Sequence, residues 1–149
     1  NTALKKLSFI LNVLLLLSFA NCKKKDMRNY SYWQVNQDKF SSNNVSVDIG
    51  KAIASFSCND FVNNFTIAFH FSFLPLTGTY PINKSSNQNP DSVILNFYYN
   101  GNFYLPKKSG YLNIGSINGK TQCTLPPTWY CNYSNSNDSV LITGTFNEP

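Results

Sequence analysis

Apolar and polar residues alternate with a period of two along most of this chain. Phe65, Ile67, Phe69, Phe71 and Phe73 alternate with Thr66, Ala68, His70 and Ser72. Side chains on an extended chain point to opposite faces in turn, so this pattern predicts a half-buried strand with one phenylalanine face. Val93, Leu95, Phe97 and Tyr99 repeat it, as do Val140, Ile142, Gly144 and Phe146, and Val45, Val47 and Ile49 make a shorter run. No stretch after Cys22 carries a helical period. The turns agree. Asn100-Gly101 and Asn118-Gly119 stand between such runs, and Asn-Gly accepts the positive φ that a two-residue type I′ hairpin needs. Gly50-Lys51, Thr77-Gly78 and Lys108-Ser109-Gly110 mark further turns, and the polar stretch 83–89 reads as a loop. About eight to ten short strands at this spacing predict an all-β domain, an antiparallel β-sandwich or a barrel-like sheet. The pattern does not choose between the two.

The first 26 residues follow a different rule. Lys5 and Lys6 precede an apolar run over 7–19, and Cys22 is followed by Lys23, Lys24, Lys25 and Asp26. The run is too short to span a bilayer as a helix, which takes about 20 residues. It matches the basic, apolar and cleavage parts of an export signal. The division expected is a helical signal segment over 1–21, a lipid-attached tether over 22–29 with Cys22 as the acylated residue, and one all-β domain over 30–149. Asn1 in place of a starting Met suggests that the natural chain begins earlier. The bacterial lipobox prefers Leu, then Ala or Ser, then Gly or Ala before the Cys. Phe19-Ala20-Asn21 departs from it at Phe19 and Asn21, and so resembles the relaxed lipobox of Bacteroidota lipoproteins. Lys23 is not the Asp that retains a lipoprotein at the inner membrane, which points to the outer membrane and leaves the leaflet open.

Charge narrows the function. The net charge is +5, but Lys5 and Lys6 leave with the signal and much of the remainder sits beside the lipid. The domain itself keeps little net charge, which excludes a basic nucleic-acid footprint. The tether lysines suit anionic headgroups, at about 1 kcal/mol each. Charged residues make up 13% of the chain, about half the usual share, and Asn and Ser take their place in facing solvent. With 12 Phe, 9 Tyr and 2 Trp, the chain carries too much apolar surface for a disordered one.

The residues that carry chemistry are few. His70 is the only histidine, it falls opposite the phenylalanine face, and no cysteine pair has zinc-ligand spacing, so neither a metal nor a cofactor is expected. With Cys22 lipidated, Cys58, Cys123 and Cys131 remain. A Cys123–Cys131 disulfide would close the segment 124–130, read as a loop; pairing through Cys58, or three unpaired thiols, are the alternatives. Aromatic residues crowd two segments, giving Tyr98, Tyr104, Trp129 and Tyr130 as candidate ligand-stacking residues. The alternation assigns Tyr99 to the buried side and Tyr98 to the exposed one.

Trp33, the Phe-rich strand, Leu76-Thr77-Gly78-Thr79-Tyr80, Gly110-Tyr111-Leu112-Asn113-Ile114 and Leu141-Ile142-Thr143-Gly144-Thr145-Phe146 together resemble small Bacteroidota lipoproteins. In these a G-T-Y strand precedes a long loop and a G-T-F strand ends the domain. The resemblance implies a β-sandwich-like domain in the cell envelope and carries over no catalytic residue. Asp91-Ser92-Val93 and Asp138-Ser139-Val140 resemble the Bacteroidota O-glycosylation sequon, which makes Ser92 and Ser139 candidate sugar carriers; as bare sequence each is also an ordinary turn before a strand. The function expected is a lipid-anchored envelope protein whose non-enzymatic domain binds a glycan, peptide or protein. A structural subunit of an envelope complex is the alternative, and a hydrolase built around His70 and two carboxylates the third.

Overall fold

The structure is a computed structural model that describes residues 30–49, 54–73, 75–83 and 91–149. Cys22, the tether, Gly50-Lys51 and most of the stretch 83–89 lie outside the described residues. Eleven strands form: β1 (Ser31–Val35), β2 (Asp38–Ser42), β3 (Val45–Ile49), β4 (Ala54–Asp60), β5 (Phe65–Phe71), β6 (Gly78–Asn83), β7 (Val93–Tyr99), β8 (Asn102–Pro106), β9 (Gly110–Ile117), β10 (Lys120–Asn132) and β11 (Ser139–Asn147). The all-β expectation holds, and both Asn-Gly hairpins have the expected backbone, with φ of 49° and 76° at Asn100-Gly101 and 54° and 77° at Asn118-Gly119.

The pairing closes the sheet. β2 pairs β1 and β3 pairs β4, yet only Asn43 and Asn44 separate β2 from β3. They are one bent stave that changes partner at a corner. There Ser42 Oγ donates to the Asn59 carbonyl (2.9 Å) and the Asn59 amide to the Asn44 carbonyl (2.9 Å). β8 and β9 likewise make one interrupted stave, because both pair β10. Counted this way, eight staves run alternately up and down in chain order, and β11 returns to pair β1. β6 is an extra strand wedged between β9 and β7, and its pairing with β7 is the parallel element of the sheet. β2 and β3 each pair on one side alone, so the ring is completed through the corner at Asn43-Asn44 rather than by a continuous ladder.

An eight-stranded barrel is just wide enough for side chains to fill, and aromatic rings fill this one. Trp33 on β1 stacks on Phe65 of β5 at 4.3 Å, Phe69 of β5 meets Phe146 of β11 at 5.3 Å, and Phe97 of β7 meets Tyr130 of β10 at 5.8 Å. The first two contacts reach across the interior, and the third spans β8, which pairs both β7 and β10. Each such fully buried ring contributes about 2–3 kcal/mol. Gly144 stands opposite Trp33 and leaves room for its indole.

Two expectations about extent change. The phenylalanine strand stops at Phe71, which pairs Val93 where β7 begins. Phe73 lies beyond that last β7 partner and is 69% exposed. The segment 124–130 is strand rather than loop: β10 runs on to Asn132 through a bulge at Pro126-Pro127. Two residues there face one on β11, and prolines suit a place where no amide must enter the ladder. The carbonyls freed by the bulge are taken by side chains, Leu125 O by Thr143 Oγ1 (3.0 Å) and Pro126 O by Thr128 Oγ1 (2.8 Å).

Candidate functional site

The outer wall carries a row of aromatic rings across three neighbouring staves. The Asn100-Gly101 turn sets the register that pairs Tyr98 with Phe103, and their rings lie 4.7 Å apart. Tyr133 follows β10; its amide donates to the Phe103 carbonyl (2.8 Å) and its ring lies 6.2 Å from Phe103. Tyr98 is 48% exposed and Tyr133 72%. Trp129, 51% exposed, faces the same way further down β10 and pairs Leu141. Cys131, paired with Leu105, lies between. Tyr98 is thus exposed as the alternation predicts, Trp129 is exposed from a strand rather than from the expected loop, and half-buried Phe103 and exposed Tyr133 join them.

Tyr104 and Tyr130 do not belong to this surface. Each follows an outward residue by one position, and successive strand side chains face opposite ways. Tyr104 is 4% exposed and Tyr130 wholly buried. Tyr104 Oη donates to Asp138 Oδ2 (3.2 Å), which also receives Asn132 Nδ2 (3.0 Å). That shared carboxylate ties the β10–β11 loop to β8, a structural role. Burial, with Asp138 beside it, pushes the Tyr104 phenol up; burial alone pushes up that of Tyr130. The Tyr130 hydroxyl has no partner within the described residues.

A second feature had no clear sign in the alternation. An open groove of about 520 Å³ crosses the outer faces of β2, β1, β11 and β10 where the Pro126-Pro127 bulge lifts the strand. Tyr32, Gln34, Thr124 and Thr145 line it, and Lys39 is its one charged lining residue. The double proline inside a strand-like run was the signal for a bulge, and hence for a break in the surface.

The remaining candidates separate. Cys123 and Cys131 stand eight residues apart on one extended strand, about 25 Å at the usual rise, whereas a disulfide needs Cα atoms within about 7 Å. The bulge also puts them on opposite faces, Cys123 buried and Cys131 half-exposed. All three described cysteines are free thiols, the unpaired alternative, and the possible Cys123–Cys131 bridge does not form. Burial pushes the Cys58 thiol up to about 12 and raises that of Cys123 further. Ser92 is 4% exposed and accepts from Asn83 Nδ2 (2.7 Å). The Ser139 hydroxyl is buried as well. Neither offers the folded surface a sugar needs, so both fall as glycan carriers.

His70 faces outward from the phenylalanine side, with Asn96 Nδ2 3.1 Å from its Nε2. A neutral ring accepts there, and partial burial lowers its pKa from the ordinary 6.5. Among the described residues no group of three His, Cys, Asp or Glu side chains converges, so the carboxylates do not gather about His70. The arrangement the outer wall does offer is stacking beside hydrogen bonding, over flat rings and a hydroxyl-lined groove. No protein-family model, curated protein or solved structure matches the chain.

Proposed function

We propose that this chain is a lipid-anchored envelope protein whose barrel is a non-enzymatic glycan-binding module. The observation that carries the reading is the row of exposed Tyr98, half-buried Phe103 and exposed Tyr133, with Trp129 alongside. Flat aromatic faces suit the apolar faces of sugar rings, and Tyr98, Phe103 and Trp129 present them from strands. Position supports it too. Tyr30 leads into the start of β1, where the Asn147 side-chain amide donates to its carbonyl (2.6 Å). The aromatic row lies at the other end of the staves, beside the Asn100-Gly101 turn. A tether on Cys22 would therefore hold the row away from the membrane.

The test is a glycan array probed with the protein and with Tyr98→Ala and Trp129→Ala. Truncating a central stacking ring costs more than 1 kcal/mol, so each variant should bind at least about fivefold more weakly. Both side chains are outward, so stability should change by no more than about 0.5 kcal/mol. A glycan bound equally by all three proteins would refute the aromatic row as the site. A second reading rests on Phe61 and Val62, 74% and 91% exposed at the β4–β5 turn. Exposed apolar residues of that kind suit a protein contact, and a subunit role predicts loss of an envelope partner in Phe61→Ser with glycan binding intact.

A further inference from the structure

We infer that the groove over the Pro126-Pro127 bulge is a second sugar subsite and that the ligand is an acidic polysaccharide, its carboxylate or sulfate held by Lys39. The inference rests on the glycan reading and adds the ligand's charge and its path.

The path follows from register. Thr124, Pro127, Trp129, Cys131 and Tyr133 succeed one another along the outer side of β10, with the bulge absorbing the extra residue. The groove lies at the Thr124 end and the aromatic row at the Tyr133 end, so Trp129 stands between the two. At about 3.3 Å per residue the band is some 25–30 Å long. A surface of that length suits a linear chain rather than a single sugar.

The chemistry follows from the groove's walls. The hydroxyls of Thr124 and Thr145 and the side-chain oxygen of Gln34 bring neutral groups of the kind that pair with sugar hydroxyls. Thr143 is different, because its hydroxyl is committed to the Leu125 carbonyl. Lys39 is the one charged group in the groove. Asp38 precedes it in β2 and so points to the other side of the strand. The carboxylates at either end of β11 are engaged elsewhere: Asp138 accepts from Tyr104 and Asn132, and Glu148 accepts from the Thr121 amide (2.7 Å). Along the band a second cation, Lys107, lies opposite Trp129, to whose carbonyl its amide donates (2.8 Å). Lys39, with no facing carboxylate among the described residues and stacking rings along the same band, selects an anionic ligand over a neutral one.

The experiment measures binding of the mature protein in detergent to polygalacturonate and to a neutral β-glucan by calorimetry, at low and high salt. A hydrogen bond to a charged group is worth about 1.5–3 kcal/mol, so Lys39→Ala should weaken polygalacturonate binding at least about tenfold and leave any neutral-glucan binding unchanged. Thr145→Val should weaken both. Lys120→Ala, a cation removed from the band that bonds the Pro149 carbonyl, should change neither. High salt should weaken the polygalacturonate complex alone. Equal binding of both polymers with no effect of Lys39→Ala would overturn the acidic subsite while the Trp129 dependence kept the glycan reading. Binding of neither polymer, on an array that is also blank, would overturn both.

Discussion

Replacing Gly144 by alanine adds one methyl group at the most crowded backbone position among the described glycines. An ideal Cβ there lies 2.7 Å from Trp33 Cβ, 2.9 Å from Phe146 Cζ and 2.9 Å from the Tyr32 carbonyl oxygen. Carbon atoms pack best at about 3.5–4.0 Å, so the methyl group overlaps its neighbours by close to an ångström. The Phe146 ring can tilt, but the Tyr32 oxygen and the Trp33 Cβ are fixed by the β1–β11 ladder. Overpacking of this kind costs about 1–3 kcal/mol, and the rigid neighbours place Gly144→Ala near 3. Gly115→Ala is the internal control, since nothing lies within 4 Å of its Cβ and the lost chain entropy of the unfolded state favours alanine by about 0.4–1 kcal/mol. The two variants should differ by about 3–4 kcal/mol in urea unfolding, and by about 10–15 °C in Tm for a domain of this size. Agreement of the two midpoints within 2 °C would refute the claim that Trp33 owes its place to a missing side chain.

Other outcomes follow from the same structure. Gly119→Ala, at φ +77° with no atom near its Cβ, should lose about 1–2 kcal/mol through backbone strain alone, and Gly119→Asn should recover most of it; equal stability of all three would remove the type I′ reading of that hairpin. At pH 8 a thiol with a pKa of about 12 is ionised in roughly one molecule in 10⁴, so Cys58 and Cys123 should take up iodoacetamide only after unfolding, as mass mapping with and without denaturant would show. The same burial makes the fold alkali-sensitive. The folded Cys58 thiol holds its proton to about pH 12 while the unfolded one releases it near 9.0, so the unfolded state binds fewer protons in that window and stability falls as pH rises. Each buried thiol should contribute a slope of about 1.4 kcal/mol per pH unit above 9; a urea midpoint unchanged between pH 8.5 and 10.5 would contradict it, and Cys58→Ala should flatten the slope.

Most strands were legible because each has one wet and one dry face. In β5 and β7 the alternation of Phe65, Ile67 and Phe69, or of Val93, Leu95 and Phe97, marks the wall that faces the barrel interior, and the Asn-Gly pairs mark two of its hairpins. β10 was less legible. Leu125, Tyr130 and Asn132 are buried while Pro127 and Trp129 are exposed, so its alternation changes phase at the bulge. A phase change looks like a loop when only the sequence is in view, and the expected Cys123–Cys131 bridge followed from that appearance. The closure of the sheet was not legible for a related reason. It depends on β2 and β3 being one stave with a bend at Asn43-Asn44, and two polar residues between short runs look the same as a hairpin turn.

The candidate site divides along the same line. Tyr98 was legible as an outward residue because the period of β7 is unbroken through Tyr99. Trp129 was found for the wrong reason, as a loop residue, although a strand gives it the same exposure and a firmer position. Tyr104 and Tyr130 were misread because clustering in sequence was taken as clustering in space; a strand sends neighbours in sequence to opposite faces, and it is residues on adjacent staves, Tyr98, Phe103 and Tyr133, that come together. The groove lay further out of reach, since it joins Lys39 and Tyr32 to Thr124 and Thr145, which lie 85 to 113 residues further along the chain, and exists only because β11 pairs β1. The bulge that hid β10 from the periodic pattern is also what opens the groove beside Trp129. A strand that kept perfect alternation through 126–127 would have been easier to read and would have presented a flat wall. Removing one proline of the pair, which restores the two-residue period opposite Thr143, should therefore fill the groove while leaving the aromatic row in place. If the acidic-polymer preference survives that deletion, Lys39 does not act through the groove.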